Sequence, residues 1–209
     1  MKWNTIVVIL LILTLPFLII LTSARFLIFN ENYYHQLFVK YSVYQTMPDA
    51  NNVLHNITMY FRGQEKLNVA LFTENEKSHM KDVKILINQV LILYYVLIIG
   101  DGLLLLYLYR NKKRYIPIVS ILSGTVIILF SGIIYLLQNS FSTLFITFHL
   151  LFFPQGNWMF PESSRLIQLF PEQFFSNFFY DLVRNACIAS IILILFGYMY
   201  FVLTQEKNR

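Results

Sequence analysis

The sequence predicts an all-α integral membrane protein: four transmembrane helices with an extracellular cap formed by two long outer segments. Three observations predict it. The 209 residues are 57% hydrophobic and only 13% charged, whereas a soluble domain carries about 25% charged residues. Four continuous apolar runs each approach the roughly 20 residues that cross a bilayer core as a helix. Basic residues gather at the ends of those runs rather than along one face.

The runs lie at about 5–23, 85–109, 116–137 and 186–203. They are continuous rather than alternating, so they read as helices and not barrel strands. The first ends in Thr22, Ser23 and Ala24, small residues that suit a signal-peptide cleavage site. It is long for a signal peptide and is expected to stay as a helix, bent at Pro16. The whole chain, 1–209, is expected to form a single membrane domain.

Orientation follows the positive-inside rule. Lys2 precedes the first run, Arg110, Lys112, Lys113 and Arg114 fill the loop between the second and third, and Lys207 and Arg209 follow the fourth. Both termini are therefore expected in the cytoplasm of a cell-membrane, multi-pass protein. The net charge of +5 reads as topological, which argues against nucleic acid as a partner. Membrane lipid is the expected surrounding; the oligomeric state has no signature in the sequence.

The outer segments, 24–84 and 139–184, are too long for simple loops. In the first, Asp49 is placed to N-cap a short helix whose apolar face is Val53, Leu54, Ile57, Tyr60 and Phe61, with Gly63 as its stop. The second is rich in Phe and is expected to lie at the outer membrane interface. The single cysteine, Cys187, excludes an intrachain disulfide and reads as a buried thiol.

Polar chemistry concentrates in two places. Thr73 and Glu76 have capping-box spacing, so a helix starts there and runs into the second span. It carries His79 just outside the bilayer, with Glu76 or Asp82 placed to hydrogen-bond one imidazole nitrogen. The bland reading is a surface helix with ordinary charge pairs. The other place is His149 among apolar residues, followed by Pro154-Gln155-Gly156. That turn returns the chain, bringing Asn157 and Trp158 near His149. Here the bland reading is a packed histidine donating to a backbone carbonyl.

His35 and His55 look solvated. Asp101 is an acid within the second span, a functional candidate by default, or polar packing beside Gly100 and Gly102. Nucleophile-elbow, P-loop and dinucleotide-binding motifs are missing from the sequence.

Two blocks carry a resemblance. One is Phe72-Thr73-Glu74-Asn75-Glu76-Lys77-Ser78-His79-Met80-Lys81-Asp82-Val83-Lys84. The other runs from Phe148-His149 through Gly156-Asn157-Trp158 and ends near Leu169-Phe170-Pro171-Glu172-Gln173-Phe174-Phe175. Together they resemble the lipoprotein intramolecular transacylase family of Gram-positive bacteria, called Lit. The order of blocks and spans extends the resemblance over nearly the whole chain. After Trp158 this chain has Phe160-Pro161-Glu162-Ser163-Ser164 where the family carries an Asp-Pro-containing run.

The resemblance implies an acyltransferase with catalytic His79 and His149 at the cap–membrane boundary. Glu76, Asp82, Asn157 and Trp158 would orient the histidines or bind substrate. The implied substrate is a diacylglyceryl lipoprotein, whose sn-2 acyl chain moves to the α-amine of its own N-terminal cysteine. The product is the lyso-form, N-acyl S-monoacylglyceryl lipoprotein. No cofactor and no metal are implied. The residues alone leave two alternatives: a metal-dependent membrane hydrolase built on the same histidines and acids, or a membrane scaffold that binds a partner through its aromatic cap.

Overall fold

A computed structural model describes residues 3–68, 70, 72–137 and 141–206. Lys2, Lys207 and Arg209, which carry part of the orientation argument, lie outside the described residues. The described chain is helical, without strands. In order the helices are α1 (Trp3–Ile28), α2 (Glu31–Lys40), α3 (Val43–Thr46), α4 (Ala50–Phe61) and α5 (Glu74–Asn111). There follow α6 (Ile116–Leu137), α7 (Phe141–Phe152), α8 (Arg165–Leu169) and α9 (Glu172–Glu206). A 3₁₀ turn, Lys113–Tyr115, links α5 to α6.

Four helices are long and apolar enough to cross a membrane, α1, α5, the segment Lys113–Ile133 that contains most of α6, and α9. The protein is a multi-pass helical membrane protein. α1 continues through Pro16. α5 and α9 start well before the apolar runs that the sequence shows, because each begins with a capped or acidic polar turn.

The chain divides into two compact units. The first holds Met1–Arg25, Ile92–Gln138 and Asp181–Arg209. Its buried contacts include Val7, Leu11 and Leu15 of α1, Leu108 of α5, and Ile116 and Val119 of α6. Asp101 is buried here, and Thr14 Oγ1 donates to its Oδ1 at 2.7 Å. A polar group in an apolar surrounding needs such a partner.

Within this unit α6 and α9 approach closely. A Cβ on Gly124 would stand 2.5 Å from Ile194 Cγ1 and 2.9 Å from the Ser190 carbonyl oxygen. A Cβ on Gly197 would stand 2.9 Å from Ser120 Cβ and 3.1 Å from the Pro117 carbonyl oxygen. Small residues let membrane helices pack backbone to backbone. Gly124→Val is therefore expected to destabilise the protein by about 1–3 kcal/mol, read as a lower thermal midpoint in detergent. An unchanged midpoint would mean that the helix pair relaxes around the added side chain.

The second unit holds Phe26–Leu91 and Asn139–Tyr180. Leu37, Phe38, Met47, Leu54, Phe72 and Leu169 are among its buried core. The α4 apolar face is buried as the periodicity predicts, through Val53, Leu54 and Ile57. Asp49 occupies the N-cap position, but its side chain makes no cap hydrogen bond. Gly63 ends the helix as expected, at φ 74°, with its N–H on the Tyr60 carbonyl. That left-handed conformation suits a residue without Cβ.

Candidate active site

The site lies within the second unit, and each of its parts has a local cause. The capping box forms: Glu76 N–H donates to Thr73 Oγ1 at 3.3 Å, and Thr73 N–H donates to Glu76 Oε2 at 2.7 Å. This starts α5 at Glu74 and fixes His79 in its second turn. On α7, His149 Nδ1 donates to the Phe145 carbonyl at 2.7 Å, one turn back. A carbonyl only accepts, so Nδ1 carries the proton and Nε2 keeps a free lone pair. α7 ends at Phe152, and Gly156 turns the chain at φ 77°. The reversal lays the Trp158 ring against His149, at 4.8 Å between centroids and 36° between planes.

The two histidines meet. Their ring centroids are 6.0 Å apart and their planes differ by 26°. Both are buried, His79 at 9% exposure and His149 at 8%. Phe153 lies 4.8 Å from His79 and 5.6 Å from His149. Phe160 closes on His79 at 5.6 Å, and Phe145 on His149 at 4.2 Å. Burial pushes the His149 pKa below its usual value, against the opposing pull of the Phe145 carbonyl. Two imidazolium charges at this spacing among aromatic rings would repel, so protonating one ring disfavours protonating the other.

The carboxylates divide. Asp82 Oδ2 accepts from Gln155 Nε2 and from Asn157 Nδ2, each at 2.7 Å. Asn157 Nδ2 also donates to Ser78 Oγ at 3.1 Å. A carboxylate only accepts, so the Asn157 carboxamide is turned with Nδ2 toward Asp82. Its carbonyl oxygen is buried without another hydrogen-bond partner among the described residues, as is His79 Nδ1, and the two side chains interact. Asp82 therefore bonds Asn157 and Gln155 rather than making the direct bond to His79 that the sequence suggests.

Glu76 looks elsewhere. Its Oε2 takes Thr73 N–H and Thr73 Oγ1–H, at 2.7 and 2.9 Å, and its Oε1 takes the Leu166 N–H at 3.0 Å. It braces the entry of α5 to α8. The other two histidines stand apart from the pair: His35 bonds Tyr44 Oη at 2.8 Å, and exposed His55 pairs with Glu31. Sequence reasoning missed the aromatic wall of Phe145, Phe153 and Phe160. It also missed Gln155 and Ser78, which hold the Asp82–Asn157 link. The i, i+4 spacing of Phe145 and His149 was the one available signal.

Fold and site together define a class: a multi-pass helical membrane protein carrying a paired-imidazole centre walled by aromatic rings. The family model described as lipoprotein intramolecular transacylase Lit matches residues 9–175, and the chain belongs to that family. No curated protein matches the chain significantly. Among solved structures, the membrane-integral lipoprotein intramolecular transacylase Lit of Bacillus cereus is similar, with a TM-score of 0.84 at 16% identity, covering 99% of this chain and 98% of that one. The same protein with a histidine-to-arginine mutation gives 0.80 at 17% identity, over 99% and 95% of the two chains. A histidine-to-alanine form gives 0.78 at 18% identity, over 98% and 95%. At these identities the likeness speaks to the fold.

Proposed function

We propose that this protein moves the sn-2 acyl chain of a diacylglyceryl lipoprotein onto the α-amine of the same molecule's N-terminal cysteine. The observation that carries the reading is the meeting of His79 and His149 at 6.0 Å in a chain of the Lit family. Glu76, Asp82, Asn157 and Trp158 support them in different ways: Glu76 as a brace, Asp82 by holding Asn157, and Trp158 by packing its tilted ring on His149.

The reaction balances without a co-reactant. The amine nitrogen attacks the ester carbonyl carbon, an N–C bond forms, the bond from that carbon to the sn-2 oxygen breaks, and one proton travels from nitrogen to oxygen. A free α-amine has a pKa of about 8, so a base is needed near neutrality. His149 Nε2 has the free lone pair and serves as that base. His149 then passes that proton to His79, which delivers it to the departing sn-2 oxygen and so returns both rings to neutrality. The cyclic transition state runs through N, Cα, Cβ, S, the glyceryl carbons, the ester oxygen and the carbonyl carbon. Holding so awkward a ring is where binding supplies much of the rate.

The acyl chains of such a substrate stay in lipid while its peptide lies outside. This fits a site in an extracellular cap, with both chain termini cytoplasmic as the basic residues suggest. Mass spectrometry of a lipoprotein N-terminal peptide, after incubation with the purified protein in lipid, tests the reading. The expected product carries one acyl chain on nitrogen and one on glycerol. An unchanged diacylglyceryl peptide would overturn it.

A pH prediction follows from His149. A base works while neutral, and a lowered pKa keeps it neutral to lower pH. The enzyme's own acidic limb in kcat/KM, which reports the free protein, is expected below the ordinary imidazole value of about 6.5. A limb at or above that value would remove His149 as the base.

A further inference from the structure

Three buried side-chain atoms beside the histidines lack a hydrogen-bond partner among the described residues: His79 Nδ1, Asn157 Oδ1 and Trp158 Nε1. Such atoms are uncommon in native proteins, and each calls for an explanation. Two of them, His79 Nδ1 and Asn157 Oδ1, are complementary in type, one able to donate and the other to accept. The two side chains interact. Trp158 Nε1 is different. It is a donor and never an acceptor, and the ring that carries it lies tilted over the face of His149. It belongs to the ring packed on the proposed base, with no acceptor for its hydrogen bond among the described residues.

We infer that the Trp158 indole N–H is the oxyanion donor of the acyl transfer, a catalytic residue in its own right. The inference rests on the proposed transacylase reading. As the amine nitrogen bonds to the ester carbonyl carbon, the carbonyl π electrons move to oxygen. The Trp158 N–H donates to that oxygen, and the donation weakens again when the C–O bond to glycerol breaks and the carbonyl re-forms. The indole N–H is not transferred at any step. A donor fixed by packing on His149 needs no reorganisation when the charge develops, and this is the source of its effect. The assignment also leaves His79 free to protonate the sn-2 oxygen, so each polar group of the tetrahedral intermediate has one partner.

Trp158→Phe keeps an aromatic ring at this position and removes the donor, together with part of the indole's volume. The expected result is a loss of about 10²–10³ in kcat with KM little changed. Two lipopeptides provide a readout independent of turnover. One has the sn-2 ester replaced by a phosphonate, which imitates the oxyanion; the other has an sn-2 ether, which does not. Trp158→Phe is expected to bind the phosphonate about 10²–10³ times more weakly than wild type, and the ether equally. If the phenylalanine variant loses its thermal transition, benzothienylalanine at position 158 replaces N–H by sulfur at nearly the same shape. Wild-type kcat and equal phosphonate affinity in either variant would overturn the assignment while leaving the transacylase reading intact. A wild-type protein that forms no N-acyl product would take down both.

Discussion

His149→Ala is expected to reduce the rate of N-acyl product formation by about 10²–10⁴, the usual worth of a positioned general base. The loss should fall mainly on kcat, because the imidazole is needed when the amine surrenders its proton and not when the lipid chains bind. His79→Ala should cost a similar factor. The double variant should be little worse than the poorer single one, since groups that pass one proton between them act as a unit. Purified variants in lipid, compared by timed mass spectrometry at matched folded fraction, provide the measurement. Transfer within about tenfold of wild type in His149→Ala would leave the tautomer argument without a function. Independent, multiplicative losses in the double variant would mean that the imidazoles serve separate steps rather than one proton path.

The membrane helices were legible because lipid imposes one rule on every residue of a span, and 17% aromatic with 57% apolar content leaves few other folds. The capping box at Thr73 and Glu76 was legible because both partners are local. The reversal at Gly156 was legible too, since a turn needs only its own residues. What joins Asp82 to Asn157 was not. Those residues are 75 positions apart, and no spacing rule connects them. Asp49 shows the opposite failure: the right residue stands at the N-cap, yet its side chain does not bond there. A favourable local pattern marks a position without fixing a rotamer.

Glu76 is where a local pattern and a distant contact meet, and its replacement tests stability rather than chemistry. The side chain is 1% exposed and takes three donors: Thr73 N–H, Thr73 Oγ1–H and Leu166 N–H. Removing it leaves the two backbone donors buried and unanswered. Hydrogen bonds to a charged acceptor are worth about 1.5–3 kcal/mol each, and they do not add fully. Glu76→Ala is therefore expected to cost on the order of 3–5 kcal/mol. For a chain of this size that lowers the thermal midpoint by roughly 10 °C. Glu76→Gln should fall between, because its amide keeps one acceptor but turns donors toward donors. Activity at low temperature should survive better than in the histidine variants, since Glu76 touches neither reacting atom nor imidazole. An Ala variant with an unchanged midpoint and a collapsed kcat would reverse this assignment. It would make Glu76 an orienting group for His79, the role its position one turn away suggests in the sequence.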